Sequence, residues 1–322
     1  MSLLEIRKLS VNYYTLSGVV NAVDNVSLSI GKGEWVSIVG ESGCGKSTLA
    51  YSIVRLVPPP GKIVDGEIRF EGKNLLELSN KEFRRLLGRE IGVILQDPMT
   101  SLDPLRRIGD QLAEVYMVHG VAKNKKEALS LAGDLLEKVG LTRDRLKNYP
   151  HQLSGGQRQR VAIAIAMALK PKLLIADEPT TALDVIVQEN IMDLMTSFKE
   201  KGVSILFITH DIALAAERSD KIAVMYAGHL VEYGKVDDVI NDPLHPYTKG
   251  LLQSTPDIWG PKKIESIPGY PPDLRNPPPG CRFYPRCNQR KKICEEKKPP
   301  VLQLGERMVM CWLYSGVSME ED

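Results

Sequence analysis

Gly40-Glu41-Ser42-Gly43-Cys44-Gly45-Lys46-Ser47 fits the spacing G-x-x-x-x-G-K-[ST]. Glycines at those places let backbone N–H groups turn inward around an anion. The geometry works only where a strand delivers the chain to the loop and a helix carries it away. Both flanks are present: Trp35-Val36-Ser37-Ile38-Val39 reads as a buried strand, and the pattern turns helical from Lys46 to Leu56. The loop therefore predicts an α/β fold that binds a nucleoside triphosphate through Gly40, Ser42, Gly43, Cys44, Gly45, Lys46, Ser47 and Thr48. Lys46 would reach the β- and γ-phosphates, and Ser47 would hold Mg²⁺.

Downstream, Leu173-Leu174-Ile175-Ala176 is an apolar strand closing on Asp177-Glu178. With a phosphate loop upstream, Asp177 is expected to support Mg²⁺ and Glu178 to polarise the attacking water. Strands are expected at 3–8, 19–38, 66–70, 91–95, 172–176 and 203–209, with a hairpin around Ala227-Gly228. Helical periodicity runs through 104–140, 156–169, 185–199 and 212–218. Strands alternating with helices argue for a mostly parallel sheet covered on both faces.

Composition narrows the class. The chain has 322 residues, 43% hydrophobic and 25% charged, with a net charge of +2, so nucleic acid is not expected as a partner. No apolar run approaches the ~18 residues that span a bilayer. The N-terminus lacks the pattern of a secretory signal, which points to a cytoplasmic protein that reaches a membrane only through a partner. Thirteen of 21 prolines follow residue 242, and four of the five cysteines fall after residue 280. That shift places an expected domain boundary near residue 240, before an irregular segment poor in apolar core that needs a staple.

Leu153-Ser154-Gly155-Gly156-Gln157 lies between the phosphate loop and the acidic strand end. With Gln96, Asp177-Glu178, Thr181-Ala182-Leu183-Asp184 and His210, it completes six motifs in order. The chain resembles the nucleotide-binding subunits of ABC transporters, and within them the oligopeptide/dipeptide/nickel uptake ATPases. The resemblance implies a RecA-like phosphate-loop core with a mostly parallel sheet, an antiparallel β part, an inserted α-helical subdomain over about 97–155 and a small cysteine-containing C-terminal domain. It implies Glu178 as general base, His210 on the γ-phosphate, and Gln96 on Mg²⁺ or the lytic water. It implies that Ser154, Gly155, Gly156 and Gln157 cap the nucleotide of a partner subunit, and that Asp184 lies across the dimer interface. An aromatic residue would stack on adenine; Tyr13 fits better than its neighbour Tyr14.

The tail narrows the subfamily. Asp242-Pro243-Leu244-His245-Pro246-Tyr247 resembles the His-Pro-Tyr element that follows the ATPase domain, here 1–240, in peptide-type importers. In the remainder, 241–322, Cys281, Cys287, Cys294 and Cys311 have the spacing C-x5-C-x6-C-x16-C. Four thiolates suit zinc or an iron–sulfur cluster. The resemblance implies a [4Fe–4S] cluster, with zinc as the alternative and free thiols or a disulfide behind both. Cys44 stands outside this set.

The expectation is thus an ATPase using ATP and Mg²⁺ on the cytoplasmic face of a membrane. It would pair with a second ATPase subunit, identical or paralogous, on two permease subunits served by an extracytoplasmic binding protein. The cargo would be di- or oligopeptides, with oligosaccharides as the alternative. A soluble ABC ATPase of repair or translation is disfavoured by the single cassette and the tail.

Overall fold

The computed structural model describes residues 2–96, 101–181, 183–255 and 266–316. Its backbone groups into two units. One carries the phosphate loop and comprises Ser2–Ile30, Val36–Leu76 and the chain from Ile208 onward; the other carries the Leu153–Gln157 motif and comprises Gly31–Trp35 and Glu77–Phe207.

In the loop-bearing unit, alternation of buried and outward residues makes β1 (Ser2–Thr15) and β2 (Gly18–Gly31) long amphipathic strands. They form a four-stranded sheet with β4 (Gly61–Phe70) and β5 (Lys73–Asn74), in the order β2-β1-β4-β5. The β1–β4 pairing is antiparallel, with Leu4 opposite Phe70 and Ile6 opposite Ile68. The second sheet of this unit is built on β3 (Trp35–Val39), whose side chains are all buried. β9 (Lys221–Tyr226) runs parallel to β3, and β10 (His229–Lys235) returns antiparallel to β9. Ala227 and Gly228 join them with φ 46° and 84°, the two positive values that a two-residue hairpin turn of matching twist requires. A second hairpin, β11 (Val301–Leu304) and β12 (Arg307–Met310), extends the sheet by pairing β12 with β10.

Helix α1 (Lys46–Ile53) follows the loop. Later helices of this unit are α7 (Ile212–Arg218), α8 (Val236–Asn241), α9 (Pro246–Gln253) and α10 (Lys292–Glu296). The segment after residue 240 is not poor in apolar core. Tyr247, Leu252 and Phe283 are buried in one cluster with Val39, Val224, Tyr226 and Val231. The Tyr226 ring lies 4.5 Å from Tyr247 and 5.2 Å from Phe283. Few but large aromatic side chains supply the burial that a count of aliphatic residues misses.

In the motif-bearing unit, β6 (Ile91–Ile94) pairs parallel with β7 (Leu173–Asp177), and β8 (Ser204–Ile208) lies beside β7. α2 (Asn80–Leu86) begins with a capping box of Ser79 and Glu82. The helical periodicity of 104–140 resolves into α3 (Ile108–Val118) and α4 (Lys125–Lys138). The break comes at Gly120, with φ 69°, and at Asn124, whose side chain caps α4 by accepting from the Glu127 N–H. Ile108, Leu112 and Tyr116 of α3 pack with Ala128, Ala132 and Leu136 of α4. Into the same cluster α5 (Gly155–Met167) sends Val161 and Ala164. α6 (Val185–Glu200) buries Ile191, Met192 and Met195. Among the described residues, no helix is long and apolar enough to cross a membrane.

Candidate active site

The phosphate loop fits its surroundings only as glycine at two places. Gly40 has φ 152°, and a Cβ there would stand 2.1 Å from the Met225 carbonyl oxygen; Gly45 has φ 103°, and its Cβ would stand 2.2 Å from the Ala22 oxygen. The turn they allow brings Lys46, at the first position of α1, back over the loop. Its Nζ donates to the carbonyls of Gly40 at 2.8 Å and Glu41 at 3.1 Å. Cys44 is buried, and burial pushes its thiol up against the opposing pull of Lys46. Its carbonyl accepts the Gly228 N–H at 2.9 Å. The Thr48 hydroxyl lies 3.3 Å from the Tyr13 hydroxyl, whereas Tyr14 is exposed with the Lys62 ammonium over its ring. His210 belongs to the same unit, just after β8. The chain there is set by Asp211, which caps α7 by accepting from the N–H groups of Ala213 and Leu214.

Gln96, Ser154, Gly155, Gly156, Gln157, Asp177, Glu178 and Asp184 lie in the motif-bearing unit. β7 is buried along its whole length and ends at Asp177, 1% exposed. Glu178 then takes φ 44°, a left-handed backbone rare for glutamate. Its carboxylate accepts from Gln96 Nε2 at 3.2 Å and from Thr181 Oγ1 at 3.0 Å. The structure thus brings together Gln96 and Glu178 across 82 residues of sequence. It adds Thr181, which the sequence offered only as part of a loop motif. Ser154 caps α5: its hydroxyl accepts from the Gln157 N–H at 3.3 Å, while Gln157 Oε1 accepts from the Ser154 N–H at 3.1 Å. That reciprocal pair is a capping box and gives the motif's Ser and Gln a local reason. Gly156 has a packing reason, since a Cβ there would meet Val187 Cγ1 at 2.5 Å. Asp184 caps α6 by accepting from the Val187 N–H at 2.9 Å. The next two residues, Val185 and Ile186, are 79% and 75% exposed.

The C-terminal segment reaches the phosphate loop. His245 caps α9, its Nδ1 accepting from the Tyr247 N–H at 3.0 Å, with Pro246 at the first helical position. Burial pushes the His245 imidazole down to about 3. The buried Glu232 carboxylate accepts from the N–H groups of Leu244 and His245 and from Arg307. So fixed, Tyr247 accepts the Glu41 N–H on its hydroxyl at 2.9 Å. Arg286 donates from both terminal nitrogens to the Glu41 carboxylate, at 2.7 and 3.0 Å. Neither contact was foreseen; the only signal was the His-Pro-Tyr element and an arginine beside a cysteine.

Cys281, Cys287, Cys294 and Cys311 line one cavity with His245, Phe283 and Trp312, and all four are free thiols. Burial first, then the neighbouring cysteines, push Cys281 up to about 12 and Cys311 up to about 11. Among the described residues, no group of three or more His, Cys, Asp or Glu side chains is gathered closely enough to hold a metal ion.

Residues 23–181 match the family described as ABC transporter, and residues 231–294 match the oligopeptide/dipeptide transporter C-terminal region. The chain is 48% identical over 318 residues to the oligopeptide transport ATP-binding protein OppD of Bacillus subtilis, covering 97% of this chain and 88% of that protein. It is 46% identical over 306 residues to the dipeptide transport ATP-binding protein DppD of Lactococcus lactis, covering 94% and 88%. Among solved structures, a dimeric ATP-binding cassette in a post-hydrolysis state with ADP and Pi superposes with a TM-score of 0.66 at 31% identity, over 72% of this chain and 98% of that one. A component of an ABC transporter complex of Clostridium perfringens gives 0.62 at 29% identity, over 75% and 91%. The chain belongs to the ABC transporter family, as an ATP-hydrolysing, ATP-binding subunit of the oligopeptide/dipeptide/nickel importer group.

Proposed function

We propose that this subunit hydrolyses ATP in a sandwich of two ATPase subunits and drives import of di- or oligopeptides. The observation that carries the chemistry is the Glu178 carboxylate, held by Gln96 and Thr181 at the end of a buried strand. A carboxylate so fixed can take a proton from water in line with a phosphoryl group, where catalysis is mostly positioning and charge stabilisation. Lys46 meets the β- and γ-phosphates, His210 the γ-phosphate, and Tyr13 the adenine. Ser47 and Asp177, with Gln96, would hold Mg²⁺, which neutralises phosphate charge when bound; a hydroxyl, a carboxylate and an amide are the hard oxygen donors it takes.

Ser154, Gly155, Gly156 and Gln157 cap the nucleotide of the partner, and Asp184 crosses to it. The exposed Val185 and Ile186 beside Asp184 support a surface that a second subunit covers. The dimeric relative solved with ADP and Pi supports the same arrangement. The curated relatives' peptide cargo, and the match of 231–294 to their C-terminal region, support peptides over oligosaccharides. The partner is an identical or paralogous ATPase. The pair sits peripherally on the cytoplasmic face, on two permeases fed by an extracytoplasmic binding protein.

The expected subdivision is a cassette over 1–240, with a helical subdomain over about 97–155, and a C-terminal domain over 241–322. Within it, four thiols around one cavity support a [4Fe–4S] cluster held by Cys281, Cys287, Cys294 and Cys311. Zinc, which four sulfurs would hold at about 2.3 Å, is the alternative.

Glu178→Gln tests the hydrolytic core. ATPase turnover is expected to fall by about 10²–10⁴ while ATP binding persists and an ATP-bound dimer accumulates. Near-normal turnover in a clean preparation would remove Glu178 as the base.

A further inference from the structure

Glu41, the second residue of the phosphate loop, is gripped at three points. Its carbonyl accepts from Lys46 Nζ at 3.1 Å, inside the loop. Its N–H donates to the Tyr247 hydroxyl at 2.9 Å. Its carboxylate takes both terminal nitrogens of Arg286. The last two partners come from the segment after residue 240. The Arg286 side chain is 5% exposed, and its Nε donates to the Pro268 carbonyl at 2.8 Å, so the guanidinium is fixed before it meets Glu41. Tyr247 is fully buried against Tyr226 and Phe283.

A second link runs through the hairpin turn. Arg282 Nη1 donates to the Ala227 carbonyl, and the Gly228 N–H donates to the Cys44 carbonyl at 2.9 Å. The two arginines flank the first two cysteines of the four-cysteine site: Arg282 follows Cys281, and Arg286 precedes Cys287. Nothing in the phosphate-loop motif itself asks for these contacts, because position two of the motif is free.

We propose that Tyr247 and Arg286 are positioning residues for nucleotide binding: they hold Glu41, so that the helix start at His245–Tyr247 and the turn carrying Arg286 set the shape of the phosphate loop and its affinity for nucleotide. This rests on the reading of Gly40–Ser47 as the phosphate site. It gives the tyrosine of the His-Pro-Tyr element a task. The element is a helix start, with His245 as cap and Pro246 in the first position, that aims Tyr247 at the loop.

The test uses the full-length chain and titrates a fluorescent ATP analogue with Mg²⁺, alongside thermal unfolding and ATPase kinetics. Arg286→Gln is expected to raise the Kd about tenfold and to raise KM while leaving kcat within about twofold. Arg286→Lys should recover part of the loss, because it keeps the charge but loses the two-point geometry. Adding Glu41→Gln to Arg286→Gln should cost little more than either alone, the mark of a coupled pair.

Tyr247→Phe keeps the ring in its cluster and removes only the acceptor. It guards against a poorly folded Arg286→Gln, and should raise the Kd in the same direction. Lys46→Ala serves as the control. If it abolishes binding while both Arg286→Gln and Tyr247→Phe stay within twofold of the parent, the proposal is overturned and the phosphate-site reading stands. If Lys46→Ala binds as the parent does, the phosphate-site reading itself fails.

Discussion

Glu178 shows how much is concentrated in single residues here. A glutamate at φ 44° carries backbone strain on the order of 1–3 kcal/mol, which the surrounding structure must hold in place. Gln96 and Thr181 both donate to the carboxylate, Thr181 through its hydroxyl at 3.0 Å. Thr181→Val keeps the shape and removes the donor. Its expected effect is a fall in kcat of about tenfold with KM unchanged, since a hydrogen bond to a carboxylate is among the stronger kind. Single-turnover measurement at saturating ATP separates the chemical step from product release. Recovery in Thr181→Ser would tie the effect to the hydroxyl, and an unchanged kcat in Thr181→Val would leave the threonine a turn residue only.

At the scale of elements, helix α5 is stopped at its N-terminus by its own capping box and pressed against Val187 through Gly156. Gly156→Val would push two branched side chains into one space. Overpacking of this kind typically costs about 1–3 kcal/mol, visible as a lower midpoint in thermal unfolding with nucleotide absent. A midpoint unchanged within error would show that α6 moves aside.

The four-cysteine element yields a different test. Anaerobically purified protein is expected to be brown, with about four irons per chain. Serine at Cys281, Cys287, Cys294 or Cys311 should bleach it, and serine at Cys44 should not. Stoichiometric zinc in colourless protein would replace the cluster. Metal-free protein with an equally protease-resistant tail would show that the aromatic cluster of Tyr226, Tyr247 and Phe283 suffices.

At the scale of the whole molecule, the response to acid follows from a half-buried charge hub. Asp24 accepts from His229 Nε2 at 3.0 Å, Arg282 at 2.7 Å and Lys298 at 2.9 Å. The hydrogen bond from His229 leads in holding its carboxyl well below the usual range, and Lys298 adds to it against burial. Burial pushes the His229 imidazole down to about 4, with Asp24 pulling the other way. In the unfolded chain that imidazole takes its proton below about 6.5, whereas the folded protein refuses it until about 4. The unfolded state therefore binds more protons across that window. Stability present above pH 6.5 is lost as pH falls towards 4, by about 3 kcal/mol from this imidazole. Asp24 adds a loss in the same direction below its unfolded value. Denaturant unfolding at pH 7 and pH 4.5 should show the difference, and His229→Gln should reduce it, leaving the share of His245, whose imidazole burial likewise pushes down. An equal midpoint at both pH values in the parent would remove the assignment.

What the sequence made legible follows physical range. The phosphate loop, the Ala227-Gly228 hairpin, the Ser154 cap and the buried strand before Asp177 are local: spacing and residue type determine each. The α3–α4 break was blurred because Gly120 and Asn124 sit inside continuous helical periodicity. The β11–β12 hairpin was missed because Val301–Leu304 is short and mostly outward-facing. The grip of Tyr247 and Arg286 on Glu41 spans 206 and 245 residues, and no local pattern carries such a pairing.

One further consequence lies in Lys46. Lys46 is 5% exposed, and its ammonium is already bonded to two carbonyls of its own loop. The cation has therefore shed most of its water at folding. Recruiting it to a phosphate is an exchange of partners rather than a dehydration, and the loop is templated from within by the charge that will later serve its guest. The entropy of shaping the cradle is met when the chain folds, which leaves less to be met at each catalytic cycle.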